Sequence, residues 1–313
     1  MSRSDQLPPE ARWVKGVSAK QPLPEAAHCI LQSRLSAVSH WLPLAAERSD
    51  EDIEYVHQLR VSTRRAVEAL RVFSDLIPNA ACEELRAKLG QVRLAADEAR
   101  NLDVLCAEFV RYSEASCENT RRKIAETIKQ RRRAAQQPIA AVYSELVAGN
   151  FDEQIDDLLK QIMGQRKGDS RRTFGRHAPR YLKPVLKKFF KSSQAELSDD
   201  EAFHRLRIRT KKLRYTMEIV AAAFKPCFRK RLFRWIVALQ DVMGMVNDRA
   251  VAKALFSQWS ETTNDAEEKA FFLGLLLAET RAHEDLRQAF YAIWTRSAVK
   301  RLQRQFRACC GFS

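Results

Sequence analysis

One helix is written twice in this chain. The stretch His57-Gln58-Leu59-Arg60-Val61-Ser62-Thr63-Arg64-Arg65 returns 147 positions later as His204-Arg205-Leu206-Arg207-Ile208-Arg209-Thr210-Lys211-Lys212. At about 100° per residue, His57, Arg60, Arg64 and Arg71 share one stripe, with Leu59, Thr63, Ala66, Val67, Leu70 and Phe73 opposite. The second copy sets His204, Arg207 and Lys211 against Phe203, Leu206, Thr210, Leu213, Met217 and Val220. Each segment therefore reads as a helix buried on one side and cationic on the other. A lone arginine stripe is most simply a solvated face. Its recurrence around a shared histidine favours an anion site.

The rest of the chain can be placed around these two helices. Gly and Pro number 9 and 10 among 313 residues, and helix formers fill the periodic segments, so an all-α fold is predicted without any convincing strand. The 147-residue offset extends beyond the stripes. It places Leu35 and Val38 on Leu182 and Val185, Leu85 on Leu232, Arg100-Asn101 on Asn247-Asp248, and Phe109 on Phe256. This predicts an internal duplication folded as two four-helix bundles related by a pseudo-two-fold. The expected boundaries are a poorly ordered tail over 1–24, a first repeat over 25–163, a basic Gly-containing connector over 164–179 and a second repeat over 180–313. A capping box from Ser198 to Glu201 is expected to open the second striped helix, and Pro138 to interrupt the first repeat. The clusters Arg121-Arg122-Lys123 and Arg131-Arg132-Arg133 read as solvated faces. Between 166 and 191 lie ten Lys or Arg against Asp169 alone, a density that suits a solvated linker and polyanion wrapping about equally.

Net charge is +15 with pI near 9.7, which points to a polyanionic partner: nucleic acid, an acidic membrane or a phosphate polymer. The excess lies mostly after residue 150. Seven scattered cysteines without C-x-x-C spacing read as reduced thiols. The N-terminal stretch has no apolar signal-like region, and the longest apolar run, 271–278, is too short for a transmembrane segment, so a cytoplasmic protein is expected.

Four motifs in order carry a family resemblance. They are His57-x-x-Arg60-x-x-x-Arg64-Arg65, Arg100-Asn101-Leu102-Asp103-Val104, His204-x-x-Arg207-x-x-x-Lys211-Lys212-Leu213-Arg214-Tyr215-x-x-Glu218, and Leu239-Gln240-Asp241-x-x-Gly244-x-x-Asn247-Asp248. Together, over about 25–306, they resemble the CHAD family, the conserved-histidine α-helical domains. The resemblance implies two four-helix bundles around a basic cavity, inorganic polyphosphate as ligand, and association with polyphosphate granules. Some relatives carry a triphosphatase domain marked by alternating glutamates; no E-x-E-x-K occurs here, so the chain looks like the stand-alone form. Two positions depart from the family pattern. Val67 stands where a basic residue is common and Arg214 retains one, and Asp97 stands where Gly244 and the family have glycine, altering an expected turn before Arg100.

On this reading the polyphosphate-binding residues are His57, Arg60, Arg64, Arg65, Arg71, His204, Arg207, Lys211, Lys212 and Arg214. Arginine donates two parallel hydrogen bonds to phosphate oxygens, whereas lysine acts as a point charge. The histidines are read as donors inside the anion site, with a buried structural role next; no nucleophile or further ligands accompany them for base catalysis or metal binding. Glu54 and Glu201 are candidates to orient them, although early acids also suit the helix dipole. Glu68 and Glu218 read as surface ion-pair partners, and Arg100, Asn101, Asp103, Asn247 and Asp248 as capping and inter-helix groups. No catalytic residue, metal or cofactor is expected. A nucleic-acid-binding protein is the alternative, weakened because Tyr215 is the one aromatic residue near the stripes. A phosphate-processing enzyme comes third, since no G-x-x-x-x-G-K-[ST] loop is present.

Overall fold

A computed structural model describes residues 12–109, 118–165 and 172–311. Among these the protein is all-α. Its helices are α1 (Leu23–Glu47), α2 (Glu54–Val72), α3 (Asn79–Phe109), α4 (Glu118–Ala134), α5 (Gln137–Ala148), α6 (Phe151–Gly164), α7 (Phe174–Ser192), α8 (Asp200–Val220), α9 (Arg234–Thr262), α10 (Ala266–Ile293) and α11 (Arg296–Cys310). A π-helical turn, Phe228–Phe233, leads into α9.

Local chemistry sets most of the boundaries. The carboxylate of Asp52 accepts the Glu54 N–H at 2.8 Å at the start of α2. Asp199, rather than the expected Ser198, caps α8 by accepting from Glu201 and Ala202 N–H. Asp265 and Thr295 cap α10 and α11 in the same way. Pro138 lies in the first turn of α5, where its missing N–H costs nothing. Asn150 turns the chain into α6 with φ of 52°, a left-handed conformation that asparagine tolerates.

The striped helices sit at the centre. α2 packs between α1 and α3, α8 between α7 and α9, and α2 and α8 pack on each other. Secondary contacts join α3 to α9 and α4 to α10. The first half carries two further helices, with α5 and α6 lying against α1 and α5 also against α3, so it exceeds the expected four-helix bundle. Leu59, Ala66 and Leu70 on α2, Phe73 at its C-terminal cap, and Leu206, Leu213, Met217 and Val220 on α8 are fully buried in one continuous core. Each of the Leu, Val, Met and Phe side chains contributes roughly 1.5–3 kcal/mol by leaving water. Thr63 and Thr210 are buried too, and their hydroxyls donate back to the carbonyls of Leu59 and Leu206.

Several expectations change. Residues 12–22, placed in the tail, pack onto the body: Trp13 meets Phe233 edge-on at 4.7 Å, and the Arg34 guanidinium donates to the Arg12 carbonyl at 2.7 Å. The same segment clasps the start of α7 through Gly175 N–H to Ala19 O, an approach so close that a Cβ on Gly175 would lie 2.8 Å from that oxygen. Helix α7 begins at Phe174, so the later part of the expected 164–179 connector is helical; 166–171 lie outside the described residues. Arg131 and Arg132 are not simply solvated: Arg132 is buried on Asp103 and Arg131 covers the Trp259 ring at 4.6 Å. Lys123 reaches across to Asp265 and Glu268 of the second half.

The cysteine reading is corrected as well. Cys227 and Cys309, 82 residues apart, form a disulfide because α11 folds back against the π-helical turn. Spacing along the chain carries no trace of that pairing. Cys29, Cys82, Cys106 and Cys310 are free thiols, and burial pushes Cys310 up to about 12. The cytoplasmic expectation thereby loses the support drawn from seven reduced thiols. Among the described residues, no helix is long and apolar enough to cross a membrane.

Candidate functional site: a cationic cavity

The cationic sides of α2 and α8 open into one cavity of about 1400 Å³. Helix α2 supplies His57, Arg60, Arg64 and Arg71, and α8 supplies Arg207, Arg209, Lys211 and Lys212. One wall is α3, which adds Arg86, Arg93 and Arg100. The opposite wall is α9, which contributes mainly neutral and acidic groups, among them Gln240, Asp241, Asn247 and Asp248. Ten Lys or Arg thus face five carboxylates, those of Glu68, Glu83, Asp97, Asp241 and Asp248. The imbalance is largest between α2 and α8.

Crowding of like charges shows in the protonation equilibria. Lys211 is pushed down to about 7, first by burial and then by Arg207, Arg64 and Arg60, with Asp248 opposing. Burial also lowers Lys212, Arg60 and Arg207. His57 is lowered by burial and then by Arg100, with Arg60 and Arg64 adding to the effect and Glu54 opposing it. Among the described residues, the buried Nε of Arg207 has no hydrogen-bond partner. Each of these groups gains from an anion: a bound negative charge favours the charged forms that burial and mutual repulsion disfavour.

Three of the ten sequence-predicted residues do not reach the cavity. Arg65 turns beneath its floor and donates from Nε to Glu218 at 2.6 Å. Arg214 lies over the Tyr215 ring at 4.6 Å. His204 is exposed, outside the cavity. Its relation to His57 is therefore one of sequence and not of environment. Glu201 does not orient His204; it pairs with Arg205 at 2.5 Å. Glu54 accepts from Gln58 at 2.6 Å.

The two glutamates expected in surface pairs are buried. Glu218 holds Arg65, and Glu68 accepts from Thr216 at 2.6 Å, Tyr181 at 3.2 Å and Arg71 at 3.4 Å. Arg34 lies beneath, fully buried and lowered to about 10 by burial and Arg65. This polar layer fixes α2 against α8, so the two cationic stripes keep a constant separation. Arg287 fixes the other end of α8 by bonding Asp200 and the carbonyls of Leu197 and Ser198.

Arg100, Asn101, Asn247 and Asp248 are not caps. They lie well inside α3 and α9 and line the cavity, so no turn precedes Arg100 and none is altered by Asp97. Val67, partly buried against the core, also lines the cavity. The arginines of α3 were visible in the sequence as Arg86, Arg93 and Arg100, spaced by seven residues and hence on one helical face. Asp97 on that face bonds Arg60 and also meets Arg93 at 3.3 Å, an internal anion where the second half has Gly244. Asp97→Asn should keep the shape while freeing both guanidinium groups, and is expected to raise polyanion affinity about fivefold to tenfold, read by equilibrium titration. An unchanged affinity would mean that Arg60 and Arg93 do not meet the ligand.

Among the described residues, no three His, Cys, Asp or Glu side chains are grouped to hold a metal ion. What the site offers is a rigid, half-buried array of donors for an extended anion, carried by an all-helical two-part scaffold. The CHAD domain model matches residues 29–257, well over half of the chain, and the protein belongs to the CHAD family. The fold is similar to that of the CHAD domain from the plant Ricinus communis, at 20% identity and TM-score 0.67, over 95% of this chain and 96% of that one. It is also similar to PptA from Streptomyces chartreusis, at 17% identity and TM-score 0.56, over 88% and 99% respectively. No curated protein matches the chain.

Proposed function

We propose that this protein binds inorganic polyphosphate in the cavity between α2 and α8, as a binding protein and not an enzyme, and that this binding carries it to polyphosphate granules. The observation that carries the reading is the convergence of both striped helices on one space with ten Lys or Arg around it. A linear phosphate polymer has closely spaced charges and no bases, so it asks for many guanidinium and ammonium donors and little else. The family resemblance implies the same ligand.

The nucleic-acid reading gains less from the site. Tyr215 is the one aromatic residue among the lining groups, and it is buried, so the cavity offers no platform on which bases could stack. Competition at physiological salt separates the two. Long polyphosphate is expected to displace single-stranded and duplex nucleic acid at equal phosphate concentration, and its affinity should fall steeply with added salt as condensed counterions are released. Nucleic acid displacing polyphosphate would overturn the assignment.

A further inference from the structure

The described part of the basic 166–191 stretch, from Arg172 onward, has a structural setting that the central cavity does not explain. Helix α7 carries Arg176, Arg180, Lys183, Lys187, Lys188 and Lys191 and no acidic residue. Arg176 and Arg180 lie one helical turn apart on α7, about 6 Å along its axis, and Arg172 stands just before the helix, beyond the extended Thr173. All three are exposed and line a groove of about 430 Å³ between α7 and the end of α2, where Asp75 is the one carboxylate. The groove wall is firm. His177 donates from Nε2 to the Val72 carbonyl at 2.7 Å, and its ring stacks on Phe73.

This groove adjoins the cavity at two places. Tyr181 lines the groove and donates to Glu68, which lines the cavity and also holds Arg71. Further along α7, Lys188 lies close enough to Lys212 to depress its pKa. A path rich in cations therefore runs from Arg172 past Arg180 to Arg71 and Lys212; the carboxylates along it are Asp75 and the buried Glu68, the latter already held by Arg71, Tyr181 and Thr216.

We propose that the α7 groove is a second polyanion site, one that takes the part of a linear phosphate polymer extending beyond the central cavity. This rests on the cavity reading and adds a consequence to it. Short chains are held in the cavity alone. Long chains engage the groove as an intramolecular second contact, which gains affinity through effective concentration without any new fold element.

The test uses the full chain and equilibrium titration with polyphosphates from triphosphate to roughly a hundred phosphates. In Arg172→Ser/Arg180→Ser, triphosphate affinity should stay as in the wild type, long-chain affinity should fall about tenfold, and the log–log salt slope should drop by roughly 1.4. Long-chain affinity and slope equal to wild type, with helicity intact, would overturn the proposal; so would a loss that extends equally to triphosphate. Arg172→Lys/Arg180→Lys should restore most of the long-chain affinity, which a purely structural role for the two arginines would not allow. In parallel, Arg64→Ala/Lys211→Ala should weaken binding at every length. If that variant binds like wild type while the groove variant does not, the cavity reading fails and the groove stands as the site.

Discussion

Replacing Arg64, Arg207 and Lys211 together by alanine is expected to weaken binding of long polyphosphate about a thousandfold at moderate salt. The three side chains come from both striped helices and meet over the most crowded part of the cavity, since Arg207 and Arg64 both depress Lys211. A charge-assisted hydrogen bond contributes about 1.5–3 kcal/mol, so even its lower end, taken three times, accounts for that loss. The log–log salt slope should fall by about two, because three fewer cations displace counterions. Folding should not suffer. The apo protein holds these charges against one another, and relieving that repulsion removes a cost. Titration by fluorescence anisotropy, with circular dichroism as the control, reads both quantities. Binding within about threefold of wild type in a folded triple variant would remove the shared floor of α2 and α8 from the site, on the same energetic scale.

The second large effect is on pH. Lys211 in the free protein titrates at about 7, held below the ordinary 10.5 by burial and by Arg207, Arg64 and Arg60. A bound polyanion favours the ammonium form and raises that pKa, so binding takes up a proton wherever the free lysine is neutral. The Lys211 contribution to affinity should therefore be complete below pH 7 and be lost above it, approaching about tenfold per pH unit as the limit of one linked proton. Lys211→Arg, which stays charged, should abolish most of this dependence. The same shift acts on stability with the opposite consequence. Between about 7 and 10.5 the unfolded chain holds a proton at Lys211 that the folded apo protein has lost, so apo stability should rise with pH across that window. His57, also lowered, adds proton uptake on the acidic side.

Much of this site was legible in residue spacing. The stripe His57, Arg60, Arg64, Arg71 and its echo at Arg207 and Lys211 follow from helical periodicity, and the structure turns both into one cavity. What periodicity cannot give is the angle at which two amphipathic helices meet. Helical spacing keeps Arg214, seven residues after Arg207, with the second stripe and turns Arg65 about 100° from Arg64. Yet Lys212, at the position equivalent to Arg65, lines the cavity; it is the packing of α2 on α8 that sends Arg65 to Glu218 and Arg214 onto Tyr215. Glu68 and Glu218 looked like surface partners because nothing in the sequence says that α2 and α8 pack on each other. Once they do, the glutamates are buried: Glu68 is held by Thr216, Tyr181 and Arg71, whereas Glu218 is held by Arg65 through one oxygen and its buried Oε1 has no hydrogen-bond partner among the described residues. The α3 arginines show a different kind of loss. Their seven-residue spacing was present, but Arg100 beside Asn101 and Asp103 suggested a helix end, and α3 runs on to Phe109. The Cys227–Cys309 bond depends on the return of α11, a tertiary event without any local signal.

Helix α8 also shows why the two halves are not equivalent at the ligand. His57 faces Arg100 across the cavity, whereas the residue at the corresponding offset in the second half is Asn247, and His204 lies outside the cavity. Asp97 on α3, where α9 has Gly244, works against this difference without cancelling the three α3 arginines. The cavity is thus cationic on the α3 side and close to neutral or acidic on the α9 side, so a bound chain is expected to lie nearer α3.

The central claim is that the anion occupies the space over Lys211. It is tested most directly by NMR titration of the lysine ¹³Cε and ¹⁵Nζ resonances, assigned with Lys211→Arg, in the free protein and at saturation with long polyphosphate. The account predicts a midpoint for Lys211 of about 7 when free, moving towards 10.5 when bound, with Lys212 moving in the same direction. A Lys211 midpoint that stays at about 7 under saturating polyphosphate would contradict it.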